Sequence, residues 1–270
     1  MEHSNDVQIE EEKAPLIFTE GPAPIIKQKN QIFTAWLIAF LGAVGIMVGL
    51  CLYKPETYWE IMLFIPDGLY ITFKITIISI LFAVPIGFIT GLGRLSKNRF
   101  INTIASIYVE IIRGIPLLMQ LFYIYYALGS ILKVSPTVAA VSSLSFCFGA
   151  YMGEVFRAGI LSISKGQTEA ARSLGFNKTQ TMFLVILPQA LRTIIPPIGN
   201  ECIALLKDTS LVSVIAVADV LRRGREYAST TFEYFETYTM IALVYLVITL
   251  LLSKGMSIIE GRLSHYDKSR

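Results

Sequence analysis

Six apolar stretches, each about the length of a membrane span, constrain what this chain can fold into. They lie at roughly Ile32–Tyr53, Leu69–Leu92, Asn102–Leu128, Thr137–Phe156, Met182–Leu206 and Tyr238–Met256. A helix crossing a hydrocarbon core needs about 20 such residues, and within lipid only helices and closed barrels satisfy their own backbone. The expected fold is therefore all-α and polytopic. With 54% of residues hydrophobic and 16% charged, the balance is too apolar for an ordinary soluble domain. A net charge of only +3 gives no basic surface for nucleic acid. Cys51, Cys147 and Cys202 stand singly inside apolar runs, without CxxC spacing, and read as small buried hydrophobes. His3 and His265 sit at opposite ends of the chain, so no histidine metal site is expected.

The first 31 residues differ from the rest, combining Glu10–Glu12 with Pro15, Pro22 and Pro24, and are expected to form a flexible cytoplasmic tail. Residues 32–53 lack both a basic start and an A-x-A cleavage site, so they read as an uncleaved transmembrane helix. Residues 54–68 follow as an external loop, and 261–270 close the chain as a cytoplasmic tail. Lysine and arginine placement sets the orientation. With the N-terminus inside, fourteen of these residues lie on the inner side and six outside, with Lys74, Arg113 and Arg192 within spans. Both termini are therefore expected in the cytoplasm. Arg222, Arg223 and Arg225 run against the rule, but Asp219, Glu226, Glu233 and Glu236 surround them. Leu211–Val220 is apolar yet too short to cross, and is expected to be re-entrant or interfacial.

The longest inner loop contains Glu169-Ala170-Ala171, then Gly175 after three residues, then Val185-Ile-Leu-Pro188 after nine more. Gln167–Leu174 can form a short helix capped by Ser164 or Thr168, with Gly175 supplying the left-handed turn that ends it. Ala170 and Ala171 would leave a slim face for close approach, and Glu169 and Arg172 are candidate polar contacts. This pattern resembles the EAA loop of ABC importer membrane subunits, with Val185 in place of the usual isoleucine. "EIIRGIPLLMQLFYIYYAL" (Glu110–Leu128) is similar to the RGTPLLVQ-type segment of the polar amino-acid branch. "FCFGAYMGEVFRAGILSISKGQTEAA" and "LPQALRTIIPPIGNECIALLKDTSL" resemble that branch's approach to the loop and exit from it.

The resemblance spans about Asp67–Glu260 and implies a five-helix type I ABC importer permease core at 69–260. Its cytoplasmic coupling loop falls at about 157–181, and 32–53 becomes one extra N-terminal transmembrane helix. It further implies a multi-pass subunit of the bacterial inner membrane that works with ABC ATPase subunits and an extracytoplasmic amino-acid-binding protein. A second permease subunit, identical or different, would complete the pathway. The chain contains no GxxxxGK[ST], so ATP and Mg are expected on the partner ATPase, with no cofactor and no enzymatic activity in this chain. An ion-coupled secondary amino-acid transporter would also suit broken helices and intramembrane acids, but would leave the EAA loop unexplained.

Intramembrane charge identifies the candidate substrate residues. Glu201 and Asp208 are seven residues apart, nearly two helical turns, and so share a face about 10 Å apart along the axis. Pro196, Pro197 and Gly199 precede them, where a span can break and face a cavity. Structural use of the two acids, or simple hydration, remains an alternative. Arg113 is compatible with two readings: an i, i+3 pair with Glu110, or a place beside a cavity loosened by Gly114 and Pro116. The K-D-T-S segment at Asp208 resembles many polar amino-acid permeases, which implies a contact to the shared α-ammonium. An acid at Glu201 resembles the importers of arginine, lysine and histidine, and Arg113 would meet the α-carboxylate. An importer of glutamine or glutamate is the alternative within the same class.

Overall fold

The computed structural model describes residues 29–268, with side chains for 35–263. Residues 1–28, including Glu10–Glu12 and the tail's prolines, lie outside the described residues, as do positions 269–270 and the side chain of His265. The described residues form helices α1 (Lys29–Tyr53), α2 (Pro55–Phe64), α3 (Pro66–Arg94) and α4 (Arg99–Gly114). α5 (Leu117–Leu132) and α6 (Pro136–Leu161) follow. They are succeeded by α7 (Lys165–Ser173), α8 (Leu187–Asp208), α9 (Val220–Thr231) and α10 (Tyr234–Lys268). The fold is all-helical, with a five-helix importer-type core and an added N-terminal helix.

Backbone chemistry explains the irregular points. The stretch expected as one straight third span is instead α4 and α5, bent by 100°. Ile115 is extended (φ −105°, ψ 127°), the conformation favoured before proline, and Pro116 starts α5. The break frees carbonyls that lipid cannot satisfy. Buried Gln120 covers two of them, its amide donating 2.8 Å bonds to both Ile112 O and Ile115 O. Pro196 and Pro197 do not break α8, which continues through them. The irregularity there lies earlier, in a π-helical turn at Thr181–Ile186. Residues 54–68 are helical rather than a loop, since Pro55 and Pro66 each begin a helix. The region expected as a C-terminal tail is, up to Lys268, still part of α10.

α3 and α6 run parallel and in close contact along small residues. A Cβ on Gly87 would stand 2.6 Å from that of Met152, and one on Gly91 would stand 2.7 Å from that of Phe156. Lipid offers helices no hydrophobic drive to associate, so this close backbone approach maximises dispersion contact. Ser145 Oγ donates to Ser79 O (3.3 Å) farther along the same seam. The main buried cluster joins α3, α5, α6 and α8, with Leu144, Met152, Ile194 and Leu205 at its centre. A second cluster packs Tyr58 and Ile61 of α2 against Val220 and Tyr227 of α9 and Met240 of α10. α1 lies on α10, where Trp36 Nε1 donates to Leu250 O (2.9 Å) and the Lys254 ammonium stands 5.2 Å from the Trp36 ring centre.

The bundle thus has two distinct ends. One carries α2, α9 and the starts of α3 and α10, tied by Lys54 to Glu233 (2.8 Å) and Glu236 (3.3 Å). Arg222 and Arg223 pair with Glu226 of their own helix there, which resolves the cations that ran against the charge rule. Leu211–Val220 forms a buried 3₁₀ turn, Thr209–Ile215, and the lead into α9. The other end carries Arg94, Glu154, Arg157 and α7.

Candidate functional site

Because α8 is continuous, Glu201 and Asp208 do project from one face, with buried Leu205 between them. Both acids are half-buried. The charged groups close enough to act on Glu201 are Arg113 and Asp208. From α6, Cys147 comes under the field of both carboxylates and lies beside Gln120. Arg113, at the last turn of α4, makes no ion pair with Glu110 among the described residues. Its guanidinium instead stands 5.1 Å from the centre of the Tyr151 ring, a cation–π contact. The structure therefore gathers Arg113, Glu201 and Asp208 around α6, beside the α4–α5 break.

Sequence reasoning missed Gln120, Tyr151 and Glu154 and treated Cys147 as a packing residue. A signal was present: Cys147, Tyr151 and Glu154 follow i, i+4, i+7 spacing, which places them on one face of α6. Glu154 carries the densest ion-pair network described, with Arg94 across the helix seam and with Arg157 one turn on.

At the α7 end, the Ser164 hydroxyl accepts from Gly166 N (3.3 Å) and opens the helix, so the cap is Ser164 rather than Thr168. Gly175 has φ +87°. Its amide bonds Arg172 O (3.0 Å) and Phe176 N bonds Ala171 O (3.1 Å), the two bonds of a Schellman ending. Nothing lies within 4 Å of a Cβ built at Gly175, so conformation rather than space selects glycine. Glu169, Ala170 and Arg172 are exposed, as is Leu174 (78%). Ala171 departs from expectation: at 3% exposure it turns inward, leaving Ala170 alone of the two alanines on the outer face. Gln189 Nε2 of α8 donates to Gln167 Oε1 (3.2 Å), tying α7 to the helix that holds both acids.

Residues 83–265 match the family of binding-protein-dependent transport system inner membrane components. The L-cystine transport system permease protein TcyB of Bacillus subtilis (strain 168) is 41% identical over 213 residues, covering 78% of this chain and 90% of that protein. The glutamine transport system permease protein GlnP of Escherichia coli (strain K12) is 36% identical over 208 residues, covering 76% and 95%. An amino acid ABC transporter whose crystal structure was solved with histidines matches with a TM-score of 0.72 at 40% identity, covering 78% of this chain and 97% of that one. The MetNI methionine ABC transporter, in an inward-facing conformation, shares the fold with a TM-score of 0.63 at 21% identity, covering 76% and 98%. These matches leave the ion-coupled alternative without support. The chain belongs to the family of binding-protein-dependent transport system inner membrane components and has the ABC importer permease fold.

Proposed function

We propose that the chain is the permease subunit of an ATP-driven, binding-protein-dependent importer of polar amino acids, with arginine, lysine and histidine preferred. The observation that carries this reading is the convergence of Arg113, Glu201 and Asp208 around α6. One guanidinium against two carboxylates leaves the group at net −1. A cationic amino acid brings it to neutrality, whereas a zwitterion leaves one buried charge uncompensated, which is costly in a low dielectric. In this arrangement Asp208 takes the α-ammonium, Arg113 the α-carboxylate and Glu201 the basic side chain.

The remaining parts follow the family pattern. Two permease subunits, identical or different, pair around the pathway, ATPase subunits dock at α7 through Glu169, Ala170, Arg172 and the turn at Gly175, and a binding protein delivers substrate at the opposite end. Ala171 would support that helix from within. The α7 end then faces the cytoplasm of a bacterial cell, in keeping with the lysine and arginine bias, and both termini lie there. ATP and Mg belong to the partner. The names of the cystine and glutamine relatives favour a second reading, in which the substrate carries no net charge. Uptake into proteoliposomes holding the complete transporter, measured across arginine, lysine, histidine, glutamine and cystine, separates the two. Basic substrates should enter fastest; exclusive uptake of glutamine or cystine would support the second reading.

A further inference from the structure

Glu154 lies on α6 one turn beyond Tyr151. It accepts from Arg94 of α3 and from Arg157, whose Nε is 3.1 Å from each carboxylate oxygen. Two guanidiniums share one carboxylate, which leaves one positive charge in excess. Arg94 Nε is buried with no hydrogen-bond partner, so the arginines outnumber their acceptors. Asn102 of α4 donates to Arg94 O, which brings a third helix into the network.

The network has a definite place along the molecule. Arg113 is a charged neighbour of Glu201 and also of Glu154. Beyond Glu154, α6 runs on to Leu161, and Ser164 opens α7 shortly after. The excess positive charge therefore sits between the acidic pair on α8 and the α7 end.

We propose that Arg94, Glu154 and Arg157 form a charge gate on the exit side of the substrate site, with Glu154 the residue that admits cations past the two arginines. This rests on the importer reading above and adds a specificity determinant to it. A cation leaving Glu201 and Asp208 for the α7 end moves from a net negative group toward a net positive one. Glu154 reduces the opposing charge from two units to one. A unit charge about 10 Å away, at an effective dielectric of about 20, changes a cation's rate on the order of tenfold and leaves a zwitterion nearly unaffected.

The test is the ratio of maximal uptake rates for arginine and its uncharged isostere citrulline, in proteoliposomes holding the complete transporter. Glu154→Gln should lower the arginine-to-citrulline ratio on the order of tenfold. Arg157→Gln alone should raise it, and this variant keeps the test available if Glu154→Gln does not fold. The double variant, with the network back at one excess charge, should recover the wild-type ratio. A purely structural brace between α3 and α6 would slow both substrates alike in every variant, and that result overturns the gate. Wild-type protein that carries citrulline but no arginine overturns the importer reading and the gate with it. Arginine uptake with ratios unmoved by either single variant overturns the gate alone.

Discussion

Asp219 is fully buried, at 0% exposure, yet its carboxylate caps α9 by accepting from Leu221 N (3.2 Å) and Arg222 N (3.0 Å). It lies between the spans, where its backbone carbonyl would stand 2.8 Å from a Cβ at Gly68 and Val220 N donates to Thr72 Oγ1 (3.3 Å). Burial raises its pKa from 3.8 to about 6, against the pull of the two backbone amides and the more distant Arg225. The folded state therefore holds this proton more tightly than the unfolded chain does. The resulting stabilisation is complete below 3.8 and is lost as pH rises to about 6. A shift of this size corresponds to on the order of 2 kcal/mol. Asn caps a helix as well as Asp does. Asp219→Asn should then melt at higher temperature than wild type at pH 7.5 and lose the downward slope of stability between about pH 4 and 6. An equal or lower melting temperature at pH 7.5 would show that the carboxylate contributes more as a charged cap than burial removes. The sequence gave notice of this acid only as a counter-charge to the neighbouring arginines, because burial is a tertiary property.

At the scale of elements, legibility followed local chemistry. Gly175 was readable because the required left-handed turn is encoded by one residue, and the observed φ of +87° agrees. Replacing it with Val should cost on the order of 1–2 kcal/mol of backbone strain at that turn. Gly175→Val protein should still reach the membrane but lose substrate-stimulated ATP hydrolysis when reconstituted with its partners. Unimpaired hydrolysis would remove the basis for assigning α7 a coupling role. The inward turn of Ala171 was not readable, since it depends on how α7 lies against the Thr181–Ile186 segment. Prolines misled in both directions. Pro116 breaks its span because Ile115 extends and Gln120 satisfies the freed carbonyls from four residues on, whereas α8 passes through Pro196 and Pro197. A proline marks where a helix can bend; neighbouring side chains decide whether it does.

For the whole molecule, the apolar stretches and the EAA-like loop carried the fold class, while the packing of α3 on α6 went unread. That seam was visible as Gly87-x₃-Gly91 and Gly149-x₃-Gly153, two motifs of the kind that bring membrane helices close. The family match begins at Ala83, so α1 and α2 lie outside it, yet they contribute the Trp36 and Lys54 contacts to α10. At the site, Glu201 and Asp208 were legible from charge in an apolar run and from helical period. Their relation to Arg113, and the parts played by Tyr151 and Glu154, depended on three helices meeting. The account's central claim is that Glu201 selects a positively charged side chain, which a charge-assisted hydrogen bond of roughly 1.5–3 kcal/mol would favour by at least tenfold. The direct measurement is arginine-against-glutamine competition uptake by wild type and Glu201→Gln, with the binding protein held constant. The account predicts that the arginine preference falls by on the order of tenfold while glutamine uptake is retained. An unchanged preference would contradict it and make Glu201 a structural acid.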